Sequence, residues 1–169
     1  MSRSLKKKKL QRSLVIIARL LGSFVLICVL LVLIPLTVPR FFGYETYNVV
    51  SGSMEPEIPV GSILYVKSVD PYDITEDQVI AYYSNAVVVA HRVVRNNTFD
   101  GRFTTKGDAN AQEDLRDVEY SELIGVVDLH LPFLGAAGSY ISTSSGKLFM
   151  AELIVCSILL FVVSDRIKM

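Results

Sequence analysis

The stretch AVVVAHRVV, residues 86–94, is built of β-branched and small apolar side chains broken by one histidine and one arginine. Such residues suit a pleated, half-buried surface, so a strand is predicted here. Alternation along a strand puts His91 on one face with Val89 and Val93 and turns Arg92 to the other. An imidazole on an apolar face is conspicuous. A lone strand histidine is more often structural than functional, so its meaning depends on partners elsewhere in the chain.

Similar stretches lie on either side of it. YNVVS (47–51), SILYVKS (62–68), QVIAYY (78–83), TFDGRFTT (98–105) and LIGVVDL (123–129) are all rich in β-branched and aromatic residues. Breakers separate them at Pro59-Val60-Gly61, Asp70-Pro71, Ser84-Asn85, Asn96-Asn97 and Gly107-Asp108. The pattern predicts a mainly β fold, a compact antiparallel domain of about six strands. TEDQV, after Ile74, reads as one turn of helix or as a strand entry. No helical period longer than a turn or two occurs between the two apolar runs that flank this region.

Those runs account for a hydrophobic content of 51% in 169 residues. Leu20 to Pro39 carries no charge, and 20 residues of helix extend about 30 Å, the thickness of a bilayer's hydrocarbon core. Pro35 sits near its outer end, where a kink costs least. Seven basic residues and no acidic ones precede the run, so the positive-inside rule predicts a cytoplasmic N-terminus and an exported continuation. A cleaved signal peptide shares the basic head and apolar run, but no small-x-small site follows IPLTVPRFF, which favours an uncleaved anchor. Leu148 to Ser164, 17 residues with Glu152 near one end, is at the lower limit for a second span. An interfacial or buried helix is the alternative. The expected organisation is a basic cytoplasmic tail (1–19), an anchor (20–39), an extracytoplasmic β domain (40–146), a second span (147–164) and a cytoplasmic tail (165–169).

Zero net charge conceals a division. Residues 1–40 hold eight basic and no acidic residues, whereas 41–146 hold six basic and fifteen acidic, a net of −9. An acidic domain argues against nucleic acid as a partner, because phosphate neutralisation needs a clustered basic patch. The basic tail suits anionic lipid. Both cysteines, Cys28 and Cys156, fall in the apolar runs, leaving the β domain with no disulfide or thiolate metal site. His91 and His130, the only histidines, have no metal-ligand spacing, and neither a phosphate loop nor a dinucleotide fingerprint occurs. Neither a metal nor an organic cofactor is expected.

One further stretch carries chemistry. SGSMEP, residues 51–56, is an ordinary Ser/Gly turn unless a base elsewhere removes a proton from Ser51 or Ser53. His91 is a candidate base. TTKGDANAQED supplies a carboxylate to stand behind it, either Asp108 at a Gly-Asp turn or Asp114 in an acidic cluster with Glu113, Asp117 and Glu119. Each aspartate alone reads as a turn residue or a solvated charge. A Ser-Lys dyad through Lys67 or Lys106 competes, although Asp108 beside Lys106 would keep its ammonium charged. His130, before Leu131-Pro132-Phe133, reads as a residue of the membrane interface.

The order Ser, His, Asp in an anchored β domain resembles type I signal peptidases. SGSMEP looks like their nucleophile box, and GSILYVK, AHRVV and TKGDAN look like the boxes that follow, in the right order over about residues 47–129. Most bacterial members have lysine where His91 stands, so the resemblance is to the endoplasmic-reticulum-type branch, which includes archaeal and spore-former enzymes. It implies Ser53 as nucleophile, His91 as general base, Asp108 or Asp114 as third member, and the Ser51 hydroxyl with the Ser53 N–H as oxyanion hole. Ala109 departs from the branch, which often has Asn after the Gly-Asp. The resemblance also implies cleavage of exported preproteins after a small-x-small motif, with the signal peptide along a strand edge and pockets lined by Val49, Val50, Met54, Ile58 and Val89. Expected partners are exported preproteins and the lipid bilayer, with association with the secretion machinery a further expectation. Housekeeping and dedicated substrate ranges are both open. A noncatalytic anchored β domain that scaffolds envelope proteins is the alternative from another class.

Overall fold

A computed structural model describes residues 3–168. Two compact units are present, one of residues Leu36–Ser139 and one of the two long helices that flank it in sequence.

The first unit is a seven-stranded sheet: β1 (Tyr44–Asn48), β2 (Ile63–Lys67), β3 (Val79–Ser84), β4 (Val87–Asn97), β5 (Arg102–Lys106), β6 (Val118–Glu119) and β7 (Leu123–Leu131). Their order is β1-β2-β7-β3-β4-β5-β6, and every neighbouring pair is antiparallel. The expected antiparallel β architecture is therefore present. β3 and β4 form a tight hairpin, with Ser84 opposite Val87 and both turn residues, Asn85 and Ala86, at positive φ. That left-handed pair matches the twist of the flanking strands.

Apolar side chains are buried on both faces of the sheet. Ile80, Tyr82, Val93 and Phe103 pack with Ile74 and Val118, while Ala81, Leu64 and Val66 pack with Met54 and Ile58. Strict alternation along β3 sends Ile80 and Tyr82 to the first cluster and Ala81 to the second. Each fully buried aliphatic or aromatic side chain contributes about 1.5–3 kcal/mol, so the two clusters hold the sheet without disulfides.

Several boundaries differ from those predicted. β1 spans Tyr44–Asn48 rather than 47–51, so Val49 to Ser51 leave the sheet and enter a loop. β4 continues through Asn96 and Asn97, and the turn falls at 98–101, where Gly101 takes φ +66°. Asn96 is kept in the strand by its side chain, which donates to the Pro71 and Ile74 carbonyls at 3.0 and 2.8 Å. Two-residue β6 is too short to carry a period. A helix, α2 (Leu134–Ser142), occurs where none longer than a turn or two was expected. Its sequence, LGAAGSYIS, hides the period because small residues occupy its buried positions, Gly135 and Gly138.

The second unit pairs α1 (Arg3–Thr37) with α3 (Ser144–Lys168). Both helices are long and apolar enough to cross a membrane, and only 17% and 11% of their most apolar windows are buried, unlike the core helix of a soluble domain. This fits membrane anchoring. α3 has 25 residues where the apolar run has 17, so it is longer than the run alone predicted. The helices meet through small and polar residues: Ser157 Oγ donates to the Gly22 carbonyl at 2.9 Å and Ser164 Oγ to the Val15 carbonyl at 3.3 Å. A Cβ at Gly22 would stand 3.3 Å from Leu160 Cβ, so glycine sets how closely the helices approach.

Candidate active site

The SGSMEP loop is pinned from below. Met54 and Ile58, each 2% exposed, plug one of the apolar clusters, and the Ile58 N–H donates to the Met54 carbonyl at 2.8 Å. Between these anchors and β1, Ser51 is exposed and Ser53 half-buried. The Val49 and Gly61 amides close the base of the loop through 2.9 Å bonds to Ser62 and Val49 carbonyls. The Glu55–Pro56 peptide is cis.

A cavity of about 230 Å³ opens beside the loop. Ser51, Ser53 and all five residues expected to form substrate pockets, Val49, Val50, Met54, Ile58 and Val89, line it. Val87, Val88 and Ala90 line it too, and sequence reasoning missed them. Consecutive residues of one strand share a cavity only where it meets the strand's edge. β4 pairs with β3 along 87–92 but with β5 only from Arg92 onward, which leaves the edge at 87–91 without a strand on that side among the described residues.

His91 is the last residue of this edge, 8% exposed, on the face of Val93. Its Nδ1 is 2.5 Å from Asp114 Oδ2. An ionised carboxylate only accepts, so Nδ1–H is the donor in this contact, and the neutral imidazole in that tautomer keeps its lone pair on Nε2. Asp114 is itself held. Thr105 Oγ1 donates to the same oxygen at 2.7 Å, the Tyr82 hydroxyl reaches it at 3.5 Å, and the Asp114 N–H donates to the Thr105 carbonyl at 2.8 Å. Burial, reinforced by the charge of Asp114, raises the Tyr82 phenol above its ordinary range, so it remains a donor. Neither Tyr82 nor Thr105 was singled out in the sequence. Thr105 adjoins the TKGDAN stretch, but nothing local shows that it is buried and faces the carboxylate.

Asp108 meets a different neighbour. Arg92 Nε and Nη2 grip its two oxygens at 2.8 and 2.6 Å, and Arg92 Nη1 donates to the Asp77 carbonyl at 2.7 Å. The fork holds Arg92 more firmly in its charged form, partly offset by burial. The turn that carries Asp108 also clasps the serine loop. The Ala109 N–H donates to the Ser53 carbonyl at 2.9 Å, and a Cβ at Gly107 would stand 2.6 Å from that same oxygen. Only glycine permits this approach.

The geometry thus joins His91 to Asp114, and Ser53 to the 107–109 turn. Among the described residues no hydrogen bond links Ser53 Oγ to the imidazole; such bonds commonly tighten only when substrate is bound. Lys67 and Lys106 do not line the Ser53 cavity. His130 is on β7 opposite Leu64 and borders a separate cavity of about 310 Å³ with Glu57, Asp77, Arg92 and Asp128.

The serine loop and the open strand edge border one apolar cavity, with the His91–Asp114 pair at the end of that edge, and the chain is similar in sequence to signal peptidases. It is 42% identical over 81 residues to signal peptidase I W of Bacillus subtilis, a match covering 45% of this chain and 42% of that protein. It is also 35% identical over 98 residues to the signal peptidase complex catalytic subunit SEC11 of Candida albicans, and 37% identical over 100 residues to that of Eremothecium gossypii, each match covering 52% of this chain and 59% of the relative. The resemblance read from the ordered boxes is borne out. The chain spans about half the length of the curated relatives it matches. No protein-family model matches it.

Proposed function

We propose that this chain is a membrane-bound serine endopeptidase that removes signal peptides from exported preproteins. The observation that carries the reading is the 2.5 Å contact of His91 with Asp114, on a strand whose unpaired edge borders the cavity containing Ser53.

The preprotein adds as an extended strand along residues 87–91, where main-chain hydrogen bonds position it and the apolar lining admits small side chains, in keeping with a small-x-small motif. His91 Nε2 accepts the Ser53 hydroxyl proton as Oγ attacks the scissile carbonyl. Charge develops on the carbonyl oxygen, stabilised by the Ser53 N–H and the Ser51 hydroxyl. The imidazolium, held by Asp114, returns the proton to the departing amine, and water then hydrolyses the acyl-serine by the same route. Asp108 serves as a clasp, through Arg92, rather than as the third member.

Residues 20–39 and 147–164 would form the two spans, with the basic N-terminus cytoplasmic and the β domain, residues 40–146, outside. Tethering raises the effective concentration of a membrane-bound substrate at the site. The test is processing of a preprotein by membranes carrying full-length protein. Ser53→Ala and His91→Ala should each abolish cleavage while the protein still accumulates; normal processing by Ser53→Ala sinks the reading and favours the noncatalytic scaffold.

A further inference from the structure

The basic segment ahead of the apolar run is part of α1, and three of its cations share one face. Lys8, Arg12 and Arg19, with Gln11, line a cavity of about 600 Å³ at that end of the helix pair. Spacings of four and seven place the three cations on one helical face. Arg19 is already engaged, donating through Nε to Ser164 Oγ at 2.9 Å and pairing with Asp165. Lys8 and Arg12 have no ion-pair partner among the described residues. Like charges four apart on a helix repel each other, and an anion between them relieves that repulsion.

The rest of the lining is apolar. Val15, Ile16 and Ile167 complete the cavity, and the surface continues from Ile16 into exposed Ile17, Leu20 and Leu21. A site that is cationic at one end and continuous with apolar helix surface at the other is complementary to a headgroup and its acyl chains. Free phosphate would use only the cations.

We infer that this cavity binds the phosphate headgroup of an anionic phospholipid, with Lys8 and Arg12 on the phosphate, Gln11 donating from its amide, and the acyl chains leaving past Ile16 toward Leu20 and Leu21 at the start of the span. The site is independent of the peptidase reading. It gives the helix pair a specific lipid ligand in addition to diffuse attraction to a charged surface.

Full-length protein in nanodiscs of phosphatidylcholine, titrated with phosphatidylglycerol, tests it, with bound lipid counted by native mass spectrometry. Lys8→Gln with Arg12→Gln should weaken binding on the order of a hundredfold, since each direct charge-assisted hydrogen bond to the phosphate contributes about a factor of ten or more. Lys9→Gln with Arg166→Gln removes the same charge from exposed positions outside the cavity lining and should change binding little. Lys8→Arg with Arg12→Lys should retain it, which separates lost charge from lost fold. Equal weakening by the two Gln pairs would reduce the effect to net charge and overturn the site. Displacement of the lipid by inorganic phosphate at comparable concentration would overturn it as well, since the occupant would then be a free anion.

Discussion

Arg92 grips both oxygens of Asp108, Nε at 2.8 Å and Nη2 at 2.6 Å, while its neighbour His91 contacts Asp114 from the opposite face of β4. Adjacent strand residues point to opposite faces, so two aspartates six positions apart acquire separate partners.

The two carboxylates should therefore respond differently to removal of charge. Asp114→Asn is expected to lower the cleavage rate by about 10⁴ with the protein still folded, because the imidazole loses the partner that fixes its tautomer. Asp108→Asn should destabilise by about 1–3 kcal/mol, less than a fully buried pair because the Arg92 side chain is 31% exposed, and should slow cleavage far less. Preprotein processing and thermal melts of both variants check this. Wild-type rates for Asp114→Asn would remove the triad.

Thr105→Val and Tyr82→Phe probe the groups behind Asp114. The 2.7 Å bond from Thr105 is a strong one and the 3.5 Å contact from Tyr82 is at the limit of one. Thr105→Val should cost about tenfold in rate, equivalent to about 1.4 kcal/mol, and Tyr82→Phe less. The reverse order would show that the Thr105 bond does not hold the carboxylate.

Gly107→Ala should separate catalysis from folding. Its Cβ would press on the Ser53 carbonyl from 2.6 Å, and relief requires the serine loop to move away from the turn. A shift of about 1 Å lowers the rate on the order of 10²-fold. Circular dichroism should show the sheet intact.

Gly22 sets the closest approach of the two long helices. Gly22→Leu should lower the melting temperature of the detergent-solubilised protein more than Ser157→Ala. The serine change loses one interhelical hydrogen bond, on average about 0.6 kcal/mol, whereas leucine forces the helices apart.

Acid stability has one identifiable contributor. Glu122 accepts the Glu119 N–H at 3.0 Å and pairs with Arg116, and these bonds hold its carboxyl below the ordinary range. A depressed folded value means that the stabilisation is present above the unfolded carboxyl pKa, about 4.3, and lost as pH falls through the folded one. Melts across a pH series should show Glu122→Gln less stable than wild type at neutral pH, with the gap closing below about pH 4. A gap independent of pH would assign the effect to neutral hydrogen bonding.

The sequence by itself determined the β class, the two apolar helices and the ordered boxes, because each is a local pattern: β-branched alternation, a charge-free run, fixed short motifs. His91's face followed from alternation alone. Which aspartate stands behind it did not, because Asp108 and Asp114 share one loop and one chemistry. That was decided by the register of β4 against β5, which shifts between Val93 and Arg95, and by the Asp114 amide bonding back to Thr105. The strand edge at 87–91 and the clasp of Gly107 on Ser53 are likewise tertiary facts. They depend on where a neighbouring strand stops and on how closely two distant backbones approach, and neither distance is encoded in spacing along the chain.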